Sequence, residues 1–175
     1  MQTSKGNSTM KTRWSSALSL FSLLFLCASF AYGQKTDLSL RRALYFTGAK
    51  PNKIDVKNDK YVAAGGTITV KKSDAVSCNY ESCSFNVGLI AFRDPANGEL
   101  STYGEMKKSD GGISGNGIYF ADKQKVTQLV VPLMLTPGSK TKVTCLIDPE
   151  NKTAETDENN NSFIVWITFE SYKPE

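Results

Sequence analysis

From Cys83 to Ala91 the chain alternates. Cys83, Phe85, Val87, Leu89 and Ala91 fall on one side, and Ser84, Asn86, Gly88 and Ile90 on the other. A period of two is that of a strand with one face buried. Thr67-Ile68-Thr69-Val70-Lys71 has the same period and is rich in β-branched residues, and Ala75 to Cys78 continues its extended run. Lys140 to Ile147 alternates again, and in Ser162 to Glu170 the residues Phe163, Val165, Ile167 and Phe169 interleave with Ile164, Trp166 and Thr168. Asp37 to Leu40 puts two leucines on one face, and Ala43 to Phe46 is a short apolar run. Val126 to Leu135 reads as a further strand. Pro132 interrupts it, and because proline has no N–H for a ladder, this segment belongs at a sheet edge or a bend. The stretch from Asp94 to Gly117 is dense in Gly, Ser, Asn, Asp and Pro. It reads as turns and a long excursion, followed by a short edge strand at Ile118–Phe120.

Nowhere in the mature chain does a long amphipathic helix with caps appear. About seven short strands with Gly/Pro punctuation and no intervening helices predict an all-β, antiparallel β-sandwich.

The beginning of the chain follows different rules. Met1 to Arg13 carries Lys5, Lys11 and Arg13 and no acid, Ser15 to Phe30 is apolar, and Ala31-Tyr32-Gly33 ends the stretch with small residues. This order is that of a secretory signal peptide over 1–33, leaving one domain over 34–175. A membrane anchor is the other reading, but Ala17 to Tyr32 is short for a bilayer span. A lipoprotein cleavage before Cys27 would place Leu26 where a small residue belongs. An exported chain, periplasmic or extracellular, with no transmembrane segment after the leader, is the expectation.

Charge and composition then narrow the chemistry. The 175 residues contain 21 Lys and Arg, 17 Asp and Glu and no His. Without the three leader bases, 18 bases face 17 acids. The basic excess therefore belongs to the leader, and no nucleic-acid partner is expected. The absence of histidine removes Ser-His-Asp and Cys-His nucleophiles and imidazole metal ligands.

After the leader three cysteines remain: Cys78, Cys83 and Cys145. Export favours pairing. Cys78 and Cys83 bracket a four-residue turn and can face each other if two strands meet there. Cys145 alternates with Val143 and Ile147 and suits a small buried residue. A Cys78–Cys145 pair, with Cys83 left over, is the alternative.

The most informative stretch runs from Asp148 to Ser162. Pro149 ends the preceding strand. Asp148 and Asn151 can accept backbone N–H bonds, and Asn160 and Asn161 suit the left-handed backbone of a reversing chain. Asp148, Pro149, Asn151, Glu155, Asp157, Glu158, Asn160 and Asn161 together resemble the signature of the CARDB family, a bacterial cell-adhesion-related domain. The Asp37-Leu38 start, Gly66 to Val70 and the strand Phe85 to Phe92 are similar to that family in order, over roughly Asp37 to Glu170. The chain departs from the pattern where Cys78 to Cys83 replaces an Asn-x-Gly turn and where Asn97 to Gly117 reads as an insertion. The resemblance implies an immunoglobulin-like sandwich and an exported binding or adhesion-type module that is not an enzyme.

Three readings of function follow. In the first, a protein or glycan partner at the cell envelope meets a surface formed by Tyr103, Met106 and Tyr119, aromatic and apolar groups beside glycines. In the second, Asp148, Asn151, Glu155, Asp157 and Glu158 supply oxygen ligands to a Ca²⁺ that stabilises a structural or spacer domain. The loop lacks the central glycine of an EF-hand, and a solvated hairpin loop explains the same acids. The third, a carboxylate-dependent hydrolase using Glu155 and Asp157, fares worst, since the pair sits in a turn rather than across a cleft.

Overall fold

The computed structural model describes residues 35–48 and 52–171. The leader expected over 1–33, with Cys27, lies outside the described residues. Eleven strands succeed one another: β1 (Asp37–Leu40), β2 (Ala43–Phe46), β3 (Lys60–Ala63), β4 (Thr67–Val70), β5 (Ser77–Cys78), β6 (Cys83–Asp94), β7 (Leu100–Lys108), β8 (Ile113–Phe120), β9 (Val126–Leu135), β10 (Lys140–Ile147) and β11 (Ser162–Phe169). The count exceeds the expected seven chiefly because one side of a sheet is built from short pieces and because most of Asp94 to Gly117 is strand rather than excursion.

The first sheet is organised around β6. β9 follows it from Cys83↔Leu135 to Phe92↔Val126, while β1, β2 and β5 also pair with it and β3 lies beyond β2. The second sheet has the order β4-β11-β10-β7-β8. All its pairs are antiparallel except β4 with β11, which is parallel (Trp166↔Thr67 to Phe169↔Val70). The sandwich is therefore not wholly antiparallel.

The core lies between the sheets, where the alternation placed it. Cys83, Phe85, Val87, Leu89 and Ala91 are fully buried and meet Val143, Cys145, Val165, Ile167 and Phe169 from the other layer. Phe85 anchors this interior, edge-on to Phe46 at 6.2 Å and to Phe169 at 5.1 Å. Such T-shaped pairs add to the burial of their area. A second, smaller apolar cluster forms on the outer face of the first sheet, where Ile54 lies over Ala43, Tyr45 and Ile90. Gly88 makes the room, since a Cβ there would stand 2.7 Å from the Ile54 side chain. The Gln128 side chain ties the segment down by accepting the Ile54 N–H at 3.1 Å.

The Asp94 to Gly117 expectation needs correcting. β7 and β8 form a hairpin running from Leu100↔Phe120 to Lys107↔Ile113. Only its bend, at Gly111 with φ 90°, is a glycine turn. Gly104 is there for packing: an added Cβ would come within 2.6 Å of Ile118 and 2.7 Å of Leu129. Glycines inside strands mark such close approaches as well as turns. Pro132 sits as expected, exposed on β9, which pairs only with β6. Cys78 and Cys83 form the disulfide, and Cys145 is a buried free thiol whose titration burial pushes far upward. Before the short β5, the run expected to stay extended makes a 3₁₀ turn at Lys72–Asp74.

Candidate functional site

The Asp148 to Ser162 stretch is a brace. Asp148 adopts φ 48°, and its carboxylate accepts the N–H groups of Lys152 at 3.1 Å and Thr153 at 2.6 Å. Its own N–H donates to the Tyr103 carbonyl at 2.8 Å, which fastens the loop to β7. Asn151 takes φ 49° and donates its N–H to the Asp148 carbonyl. Glu155 turns inward: its carboxylate accepts the Leu38 N–H at 2.8 Å and the Asn161 amide at 3.1 Å. Desolvation pushes its pKa up to about 7; the Leu38 and Asn161 hydrogen bonds pull against this, and the nearby Glu158 and Asp148 charges reinforce it. Asn160 donates to both Asp37 carboxylate oxygens, at 3.3 and 3.2 Å. The loop thus clamps β1, across 117 and 123 residues of sequence.

One expectation changes here. Asn160 and Asn161 do not serve through left-handed backbone: among the described residues the non-glycine positions with positive φ are Lys123, Asp148 and Asn151. They work through their side chains. Of the groups proposed for calcium, Asp148, Glu155, Asp157 and Glu158 accept N–H groups, Asp157 from the Asn159 N–H at 2.9 Å and Glu158, like Glu155, from the Asn161 amide, at 3.2 Å. Among the described residues no group of three or more His, Cys, Asp or Glu is placed to hold a metal ion. The acids of the hydrolase reading, Glu155 and Asp157, are the same clamped and capping groups.

The aromatic surface proposed on the excursion falls on the outer face of the second sheet, and it loses one member. Met106 is completely buried, because the period of two sends it inward between Glu105 and Lys107, so it is core and not recognition surface. Tyr103 and Tyr119 point outward and are 43% and 51% exposed. Tyr103 stands opposite Gly117 and Tyr119 opposite Ser101, so the two tyrosines are diagonal neighbours. The Tyr103 hydroxyl lies 2.8 Å from where a Cβ of Gly115 would stand, so the side chain reclines along the sheet towards β8. Gly117 beside it carries nothing: a Cβ there would meet no atom within 4 Å.

Between Tyr103 and the brace lies a cleft of about 350 Å³, walled by Ser101, Thr102, Tyr103, Asp148, Pro149, Glu150 and Lys152. It opens where β10 ends at Ile147, opposite Gly104, leaving the first residues of β7 without a strand neighbour on that side. The Thr102 hydroxyl oxygen is buried with no hydrogen-bond partner among the described residues. Lys152 and Glu150 form an ion pair at the rim. No local pattern points to the cleft, because its two walls are about fifty positions apart. Trp166, on the same outer face and topped by Lys140 at 5.4 Å, was legible, since the β11 alternation points it outward.

These features define a β-sandwich with an open outer face and a rigid cleft at its edge. No protein-family model matches the chain, and no curated protein matches it. Among solved structures, the solution structure of the CARDB domain of a Pyrococcus furiosus protein is similar at a TM-score of 0.48 and 12% identity, covering 80% of this chain and 100% of that one. A crystal structure of that domain in complex with di-metal ions is similar at a TM-score of 0.43 and 12% identity, covering 79% and 93%.

Proposed function

We propose that the protein is an exported, non-catalytic binding module of the adhesion type, and that it meets a partner at the cell envelope through Tyr103, Tyr119 and the cleft beside them. The observation that carries this reading is the pair of exposed tyrosines on a stiff hairpin, next to a cleft whose other wall is fixed to β7 by the Asp148–Tyr103 hydrogen bond. Aromatic groups held on a rigid scaffold lose little freedom on binding and contribute most of the energy of many interfaces. The Cys78–Cys83 disulfide is compatible with an oxidising compartment, and among the described residues no helix is long and apolar enough to cross a membrane.

The test is sedimentation of the purified chain with isolated envelope material. The wild type is expected to co-sediment, and a Tyr103→Ala/Tyr119→Ala variant to remain in solution. Equal retention of the two would remove this surface from consideration.

A further inference from the structure

We propose that β8 is a docking edge for a second copy of this chain. The two β8 strands pair antiparallel about Asn116 and join two five-stranded sheets into one. The proposal goes beyond the binding-module reading and does not depend on it. Three observations lead there.

The first is a free ladder edge. β8 pairs with β7 and with no other strand among the described residues. The Lys108 N–H donates to the Gly112 carbonyl, so from there every second pair, Met106 with Ser114 through Leu100 with Phe120, is the hydrogen-bonded kind. The backbone N–H and C=O groups of Ile113, Gly115, Gly117 and Tyr119 therefore face away from β7. At Gly117 the N–H is covered by its neighbour's side chain, donating to the Asn116 Oδ1 at 2.8 Å.

The second is that nothing blunts this edge. Exposed edges are commonly guarded by charge, proline or shortness. β3 and β4 have four residues each and carry or adjoin Lys60 and Lys71, and β9 carries Pro132. Ile113–Phe120 runs for eight residues with neither a charge nor a proline. Two copies of a charged strand would set like charges against each other, and two copies of this one do not.

The third is self-complementarity. An antiparallel pair centred on Asn116 sets Ile113 opposite Tyr119 of the second copy and Gly115 opposite Gly117, on both sides of a two-fold axis. Ile113 and Tyr119 are 60% and 51% exposed, so each end of the pair closes an aliphatic–aromatic contact across the strands. Gly117 then finds its reason. Its φ lies outside the left-handed region and an added Cβ would meet nothing within 4 Å, so no neighbour in its own chain requires a glycine there. Glycine inside a strand often marks the close approach of another backbone. In the pair, Gly117 stands beside Gly115 of the second copy, over which that copy's Tyr103 reclines, and its bareness leaves room for the ring. Asn116 meets its own counterpart, and the two amides, released from Gly117, are free to bond each other.

A single strand pair is a small interface, so a concentration-dependent dimer is expected. Sedimentation equilibrium of the purified chain from about 1 µM to about 1 mM reads it. The wild type should pass from monomer to dimer and go no further, because the pair closes on its axis. Asn116→Lys and Asn116→Asp each set like charges face to face on that axis and should weaken association about fivefold or more. An equimolar mixture of the two variants should recover the dimer, since opposite charges then meet. Asn116 is exposed, so both variants are expected to fold, and circular dichroism checks it. Amide exchange at Ile113, Gly115, Gly117 and Tyr119 should slow as the wild-type concentration rises. A chain that stays monomeric over the whole range overturns the proposal. So does a dimer that Asn116→Lys leaves as tight as wild type, or a mixture that associates no better than its separate variants.

Discussion

Arg93 is the largest fully buried side chain among the described residues. It is 1% exposed, and its guanidinium donates to the carbonyls of Gln124 at 3.3 Å, Gly98 at 2.9 Å and Ala121 at 2.8 Å, with its charge 5.3 Å over the Phe120 ring. It joins the turns at the end of the sandwich, which have no ladder of their own. The parity of β6 announced this, for Cys83 to Ala91 point inward at every second place and Arg93 is the next inward position. A charge on the core face of a strand is informative, and the alternation alone does not say what satisfies it. Arg93→Met leaves buried carbonyls without donors and is expected to cost on the order of 2–4 kcal/mol. Arg93→Lys recovers only part, because an ammonium lacks the planar fork. Urea unfolding of the three proteins measures this, and a Met variant as stable as wild type would refute the stitching role.

At the scale of elements, the long alternating strands were legible because their buried and exposed faces differ in every other residue. The β7–β8 hairpin was not, because its glycines carry the appearance of turns. Gly104 and Gly115 are bare so that Ile118, Leu129 and Tyr103 can lie close to or along the backbone, and such neighbours come from other strands. β3 was missed for a related reason: it buries only Val62, so it shows no repeat. Gly88 illustrates the same rule on the first sheet. Gly88→Ala would drive Ile54 off its seat, and overpacking of this kind costs about 1–3 kcal/mol. Hydrogen exchange should then show faster opening at the Ile54 N–H and along 52–59 than in β6. Uniform exchange in the wild type and in Gly88→Ala would show that Ile54 does not anchor the segment.

The signature loop takes its meaning at the scale of the whole molecule. Its residue types were readable in the sequence, but its partner, β1, lies at the far end of the chain, and no local pattern points there. The buried Glu155 also gives the fold a pH dependence whose sign can be stated. Its native pKa of about 7 stands above the ordinary 4.5. Between these values the folded chain holds a proton that the unfolded chain has released, so this group's contribution is fully present below 4.5 and is lost as pH rises through 7. Asp74 and Asp110, held below their ordinary 3.8 in spite of some desolvation, act at lower pH and in the opposite sense. Asp74 is helped by Lys60 and the Lys71 N–H, Asp110 chiefly by the Gly112 N–H and Lys108. The wild type should therefore melt higher at about pH 5.5 than at about pH 8, and Glu155→Gln should flatten the difference. Identical melting of wild type and variant at both values would exclude Glu155 as the cause.

The bonds from Glu155 to the Leu38 N–H and from Asn160 to Asp37 also decide how the domain carries tension. A pull on the first strand reaches the closing loop directly, and must strain β1 against β6 and against that loop together before any strand can peel away. Traction at the N-terminal end of β1 is thereby shared between both layers of the sandwich.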